Sequence, residues 1–388
     1  MRVGQAPNPI LATMIEAATE PGFRSLGQPT ARRAVRQSAA HGGFGRTLLV
    51  QGAPGAGKNA FVDDLLALAF CANPVLATRP CNGCRGCRDA RARTHADLVI
   101  GSPEAWREGR STGESIVAAA RRWLLSAAGA PVVADRRIVL IERADRANEQ
   151  IQNALLKTLE EPTDRHLFIL VADDPSRLLP TIRSRCQALR VGPVPRAELS
   201  AYLRDHRRLS PAEADAYARI ANGLIGTALA YADHQALRDW RHRTQTELLA
   251  LVGRGRAERF AAVRDLLDDT TRLGVAPPPA LAASDADAET ARTPASVQRD
   301  AALLVLEIWL SLTRDLLVAG AGRVGLAPSA ALESELMDVA TRVGTGPLIR
   351  MASHLERVHE GLRQNAAPKL ALDGAMLIWP MHRTSGDR

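Results

Sequence analysis

The chain has 388 residues, of which 46% are hydrophobic and 24% charged, a balance typical of globular proteins with two or three domains. The N-terminus lacks a signal pattern, and the most apolar long run, residues 301–312, is too short to span a bilayer and contains Glu307. These features argue against a membrane protein and predict a cytoplasmic location. The net charge of +8 favours an acidic partner such as nucleic acid, although an arginine-rich composition alone also raises it.

The segment RTLLVQGAPGAGKN, residues 46–59, joins a short apolar run to a glycine-rich turn and a lysine. The run Thr47–Gln51 predicts a buried strand, and the residues from Lys58 onward place apolar side chains at helical spacing. The glycines allow successive backbone N–H groups to face a phosphate. We therefore predict a phosphate loop, with an ordinary glycine-rich turn as the alternative, formed by Gly52, Gly55, Gly57, Lys58 and Asn59.

Two positions in this loop's surroundings depart from an active ATPase. The complete pattern has Ser or Thr after the lysine to bind magnesium, whereas this chain has Asn59, whose amide is a poorer ligand. The predicted strand Arg137–Ile141 is followed by Glu142 and Arg143, where an ATPase has an acidic pair. Because an arginine cannot act as a general base, we expect no ATP hydrolysis here, and binding of ATP without hydrolysis stays open.

Four of the five cysteines lie close together in the sequence, directly after the predicted phosphate-loop helix. The spacing of Cys71, Cys81, Cys84 and Cys87 suits tetrahedral coordination by thiolates and predicts a structural zinc ion. The alternative is a set of free surface thiols, which would be prone to oxidation. Cys186 lies outside this set and is interpreted as a packing residue.

Strand and helix patterns alternate from Thr47 to Val191, which predicts an α/β domain with a parallel sheet covered on both faces. Strand order does not follow from the sequence. Besides those above, the predicted elements are a strand at Asp97–Gly101, a helix at Ser115–Ala127, a helix at Glu149–Glu161 and a strand at Leu167–Ala172. Gly192–Pro195 reads as a domain boundary. The rest is helical in pattern, except for a Pro-, Ala- and Asp-rich stretch at residues 276–296 that predicts a mobile loop.

The string NALLKTLEEP at residues 153–162, the later SRC at 184–186 and the cysteine insertion together resemble the clamp-loader branch of AAA+ proteins. More narrowly, they resemble the subunits of bacterial DNA polymerase III clamp loaders. The resemblance implies an AAA+ nucleotide-binding-like domain at residues 1–193, a small helical lid at 194–238 and an all-α collar domain for oligomerisation at 239–388. It is close over residues 24–238 and loose beyond them.

The departures favour the non-hydrolysing delta-prime type over the ATP-hydrolysing gamma/tau type. Besides Asn59 and the Glu142-Arg143 pair, Gly226 stands where the ATPase members carry an arginine in the lid. An active gamma/tau-type ATPase that uses Asn59 and Glu142 as unusual magnesium ligands is the alternative. A zinc-module nucleic-acid binder unrelated to replication is a third hypothesis, but it leaves the NALLKTLEEP and SRC strings unexplained.

Within SRC, Arg185 corresponds to the family's arginine finger, which acts in trans on ATP held by a neighbouring subunit. The alternative is a structural salt bridge at this position. The resemblance implies gamma/tau and delta subunits as partners, together with the sliding clamp, and primed DNA reached through the complex. The resulting prediction is a stator that takes part in loading the clamp during DNA replication without hydrolysing ATP itself.

Overall fold

The computed structural model describes residues 22–40, 44–160, 165–273, 294–323, 332–363 and 366–380. The chain divides into two compact units, Met1–Pro195 and Arg196–Arg388. The division falls directly after the predicted boundary Gly192–Pro195. Among the described residues, no helix combines the length and apolar character needed to cross a membrane.

The N-terminal unit alternates strands and helices as the sequence predicts. Its strands are β1 (Thr47–Gln51), β2 (Leu98–Gly101), β3 (Arg137–Ile141), β4 (His166–Ala172) and β5 (Gln187–Arg190). Its helices are α1 (Pro29–Ala40), α2 (Lys58–Ala69), α3 (Arg85–Arg91), α4 (Pro103–Glu108), α5 (Ile116–Ala127), α6 (Glu149–Glu160) and α7 (Pro180–Arg185).

All five strands run parallel in one sheet, in the order β2-β3-β4-β1-β5. Every residue of the central strand β4 is buried, as expected where helices cover both faces of a parallel sheet. The edge strand β5 is exposed except at Leu189. This order places β1 beside β4 and β4 beside β3, so the loops that follow these three strands meet at one edge of the sheet.

The C-terminal unit consists of helices in the part of the chain that the structure describes. They are α8 (Arg196–Arg207), α9 (Pro211–Ile220), α10 (Ile225–Asp233), α11 (Gln235–Ala250), α12 (Arg256–Arg272), α13 (Pro294–Gly320), α14 (Glu333–Val343), α15 (Thr345–Arg363) and α16 (Pro368–Ile378). The start of α9 is fixed by a capping box between Ser210 and Glu213, with proline in the first turn. The further division into lid and collar stays a prediction.

The core of the C-terminal unit is built around three fully buried tryptophans, Trp240, Trp309 and Trp379. Trp309 and Trp379 pack edge to face, with ring centroids 5.2 Å apart. The buried Arg259 donates hydrogen bonds to three carbonyl groups near the end of α16, those of Met376, Trp379 and Pro380. Two of these carbonyls also accept backbone N–H groups, that of Met376 from Trp379 and that of Pro380 from Gly253.

Most of the predicted mobile loop at 276–296 lies outside the described residues. Its last three residues, 294–296, form the beginning of α13. The helix therefore begins earlier than predicted at this end, because proline is tolerated in a helix's first turn.

Candidate functional site: a phosphate loop joined to a four-cysteine cluster

The predicted phosphate loop lies between β1 and α2, at the carboxyl edge of the sheet. Gly55 and Gly57 adopt positive φ angles of 80° and 95°, a conformation that glycine takes without strain. At Gly52 a Cβ atom would lie 2.2 Å from the carbonyl oxygen of Val191, so only glycine fits there. The backbone therefore has the glycine-dependent shape that the sequence predicted.

The lysine of this loop is buried, and protein groups already surround its ammonium group. Lys58 Nζ donates to the carbonyl oxygens of Gly52 and Ala53 at 2.8 and 3.0 Å. It also forms an ion pair with Asp173 Oδ1 at 2.5 Å. Because Asp173 directly follows β4, the neighbour of β1, the strand order brings this carboxylate to the lysine. A nucleotide phosphate would have to compete with Asp173 for Lys58.

Asn59, the residue in the magnesium-ligand position, is exposed on the first turn of α2. Beyond β3, Glu142 Oε1 accepts a hydrogen bond from Arg93 Nη1 at 2.6 Å. Arg143 has a positive φ of 49° and its guanidinium lies 3.4 Å from Glu104 Oε1. An ATPase has its water-activating acid at position 143. Here that position is held by Arg143, whose guanidinium pairs with Glu104.

A buried acid that the sequence reading did not single out, Asp145, connects the loops after β3 and β4. Its Oδ2 accepts the backbone N–H groups of Asp173 and Asp174 at 3.2 and 2.9 Å. Burial raises the pKa of the Asp145 carboxyl, against the lowering effect of these N–H donors. Asp145 therefore holds the backbone that presents Asp173 to Lys58.

Arg185, the predicted arginine finger, ends the short helix α7 and its side chain is exposed. Its Nη1 donates to the carbonyl oxygen of Thr181 at 3.0 Å. The next residue, Cys186, packs at the margin of the sheet core, and burial raises the pKa of its thiol to about 11. This agrees with a packing role for Cys186. In the C-terminal unit, Gly226 lies in the first turn of α10.

The predicted zinc ligands Cys71, Cys81, Cys84 and Cys87 come together, with all four sulfur atoms within 4.8 Å of one another. An ion about 2.3 Å from each of four tetrahedral thiolates separates the sulfurs by about 3.8 Å, so the residues fit a closed metal site. Cys71 and Cys87 are buried and the other two are partly exposed, which disagrees with the alternative of four surface thiols.

The local backbone prepares this cluster for a cation. The N–H groups of three of the cysteines each donate to the sulfur of another, at 3.4 Å. Hydrogen bonds from the N–H groups of Cys84 and Gly83 lower the pKa of the Cys81 thiol to about 6. In contrast, burial raises the pKa of Cys87. Four thiolates this close repel one another, so a bound metal ion is needed to keep them all deprotonated.

Ion pairs that no sequence pattern indicated connect the segment carrying the cysteine cluster to the phosphate-loop helix α2. Cys71 lies two residues after the end of α2, and α3 packs back against the same helix. Arg91 at the end of α3 binds the fully buried Asp64 of α2 at 2.8 Å. Arg93 binds the adjacent Asp63 at 3.0 Å. The metal module and the phosphate loop thus share one helix.

A parallel sheet with a phosphate loop after β1, acidic residues after β3 and an appended helical region defines the class of P-loop AAA+ proteins. Comparison with known families narrows this class. Residues 27–195 match the family described as "DNA polymerase III, delta subunit". Over this region the chain is also similar to several curated proteins named DNA polymerase III subunit delta'.

Individual relatives agree with this assignment. The DNA polymerase III subunit delta' of Escherichia coli (strain K12) is 33% identical over 184 residues, which cover 47% of this chain and 53% of that protein. The tau subunit of the same organism is 29% identical over 214 residues, covering 54% of this chain and 32% of tau. The chain thus spans about half or less of the length of these relatives.

The structural comparison gives a weaker likeness. A gamma subunit-related protein of DNA polymerase III from Thermotoga maritima aligns with 91% of this chain and 98% of its own, at 17% identity and a TM-score of 0.41.

Proposed function

We propose that this chain is a non-hydrolysing, delta'-type subunit of a DNA polymerase III clamp loader, acting in the cytoplasm. In this role it supplies Arg185 to ATP bound by a neighbouring subunit. The observation that carries the proposal is the state of its own phosphate loop, in which Lys58 is paired with Asp173 and Glu142 with Arg93. The groups that would bind terminal phosphates and a magnesium ion are thus engaged within the chain.

The exposed position of Arg185 supports a role outside this subunit. A guanidinium at a neighbour's terminal phosphate stabilises charge that develops as the phosphoryl group is transferred. The hydrogen bond from Arg185 to the Thr181 carbonyl stays within one helical turn. The sheet and α7 would hold this side chain at a fixed place in the assembly.

The partners proposed for this role are subunits of the gamma/tau and delta types, with the sliding clamp and primed DNA engaged through the complex. The similarity to delta' and tau subunits of DNA polymerase III supports these partners. The ion proposed for the cysteine cluster is zinc in a structural role, because four thiolates in a closed tetrahedral set suit zinc and leave no position for a substrate.

The second candidate is an active ATPase of the gamma/tau type, and the 29% identity to a tau subunit favours it. In that role Glu142 would bind magnesium, so its ion pair with Arg93 would first have to open. We favour the non-hydrolysing role because hydrolysis would require both this pair and the Lys58–Asp173 pair to break.

Reconstitution with the tau- and delta-type subunits from the same organism tests the proposal. The full chain should co-elute with them in gel filtration, and native mass spectrometry should find it in the assembly. The assembly's DNA-stimulated ATPase should fall when this chain is omitted. Failure to assemble, or an ATPase rate that does not depend on this chain, would refute the proposed role.

A further inference from the structure

Arg93 forms a two-sided ion pair at the edge of the phosphate-loop site. Its Nη1 donates to Glu142 Oε1 at 2.6 Å and its Nε donates to Asp63 Oδ1 at 3.0 Å. The three side chains keep only 26% to 29% of their exposure, so water screens their charges only in part. One guanidinium thus pairs with both an acid that follows β3 and an acid of α2.

The two acids belong to the two elements between which a phosphate-loop ATPase holds its magnesium ion. One element is the start of the helix after the lysine, and the other is the end of the acidic strand. Asp63 is four residues after Asn59, so both lie on one face of α2. Glu142 directly follows β3. Arg93 therefore joins the same two elements that a divalent ion would join.

The chain around Arg93 holds it in this position. Two residues earlier, Arg91 binds Asp64, whose carboxylate also accepts the backbone N–H groups of Arg24 and Ser25 at 2.7 to 3.0 Å. Burial by itself would lower the pKa of Arg93, but the hydrogen bond and charge of Glu142, together with Asp63, outweigh burial and raise it. The guanidinium consequently stays charged and fixed.

We propose that Arg93 is a built-in substitute for the divalent cation, which pairs with both Glu142 and Asp63 and excludes Mg²⁺ from the phosphate-loop site. Arg93 would then be a second cause of the loss of magnesium binding, besides the presence of Asn59 where an ATPase has Ser or Thr. It concerns the isolated chain, and its outcome does not depend on whether Arg185 acts in an assembly.

Titration of the full chain with Mn²⁺, followed by electron paramagnetic resonance, tests this exclusion. Mn²⁺ prefers oxygen ligands to thiolates, so the cysteine cluster does not compete for the probe. Removing one positive charge beside two carboxylates should make Arg93→Gln bind one Mn²⁺ at least about tenfold more tightly than the unmodified chain does. The gain should vanish in Arg93→Gln combined with Glu142→Gln.

Two further variants control for charge and for surface effects. Arg93→Lys keeps a cation and should exclude Mn²⁺ as the unmodified chain does. Arg85→Ala removes a highly exposed arginine of α3 and should change nothing. If Arg93→Gln fails to fold by circular dichroism, Arg93→Met keeps the apolar stem and takes its place. A folded Arg93 variant without tighter Mn²⁺ binding, or a gain that survives loss of Glu142, overturns the proposal.

Discussion

Lys58 Nζ and Asp173 Oδ1 lie 2.5 Å apart, so the lysine of the phosphate loop is paired with a carboxylate from the neighbouring strand's loop. The pair follows from the strand order, because β1 and β4 are adjacent and end at the same edge. Asp145 supports it by binding the backbone N–H of Asp173. The Asp173 carboxylate thus forms the ion pair with Lys58 that a nucleotide phosphate would form in a nucleotide-binding site.

Asp173→Asn should therefore increase the affinity for nucleotide without adding turnover. The amide keeps the size of the side chain but removes the negative charge that competes for Lys58, and we expect affinity to rise about threefold to tenfold. A titration with a fluorescent ATP analogue without magnesium measures this. Asp174→Asn is the matched control, since the Asp174 side chain binds Ser176 instead. Equal affinities for Asp173→Asn and the unmodified chain would contradict the competition.

The isolated chain should show no ATP hydrolysis above background. Glu142 is paired with Arg93, and Arg143, in the water-activating position, cannot accept a proton. Steady-state phosphate release, with magnesium, DNA and clamp present, is the measurement. Magnesium-dependent turnover that disappears in Lys58→Ala would instead establish the active gamma/tau-type ATPase.

The sequence predicted the backbone of the N-terminal unit well, because buried parallel strands are continuous apolar runs. Thr47–Gln51 and Arg137–Ile141 are strands with the predicted bounds. The edge strand Gln187–Arg190 was missed, since only Leu189 in it is buried and no apolar run marks it.

The site was predictable in part for a related reason. The spacing of the four cysteines in the sequence predicts that their side chains meet, and the structure confirms that the four sulfur atoms form a cluster. The partners Asp173 and Arg93 were not predicted, because they meet Lys58 and Glu142 only through strand order and through the return of α3 to α2. Asp173 carried one usable signal, its place directly after a buried strand.

The metal prediction is one zinc ion per chain when the protein is purified without chelator. Cys84→Ser removes one of four thiolates and should lower the zinc content severalfold, because three ligands hold the ion much less tightly. Elemental analysis measures the content. The loss should loosen residues 71–87 while the sheet stays folded, which hydrogen exchange can resolve. Cys186→Ser, outside the cluster, is the control. Zinc well below one per chain in the unmodified protein would contradict the prediction.

Arg259→Ala should destabilise the C-terminal unit by about 2–4 kcal/mol, because it leaves buried carbonyl groups at the end of α16 without their charged donor. Urea unfolding followed by tryptophan fluorescence measures the change. Arg256→Ala, in an exposed position of the same helix, should change stability by less than about 0.5 kcal/mol. Similar unfolding midpoints for the two variants would show that the buried hydrogen bonds contribute little.

The most direct test of the central claim is the DNA-stimulated ATPase rate of a reconstituted loader that contains Arg185→Ala. The neighbouring Arg183→Ala serves as the matched control, since Arg183 is another exposed arginine of the same helix. Gel filtration should show both variants assembling normally. We expect Arg185→Ala to lower turnover and clamp loading at least about tenfold, Arg185→Lys to restore only part of the rate, and Arg183→Ala to have little effect. An Arg185→Ala loader that assembles and turns over at the unmodified rate would contradict the account.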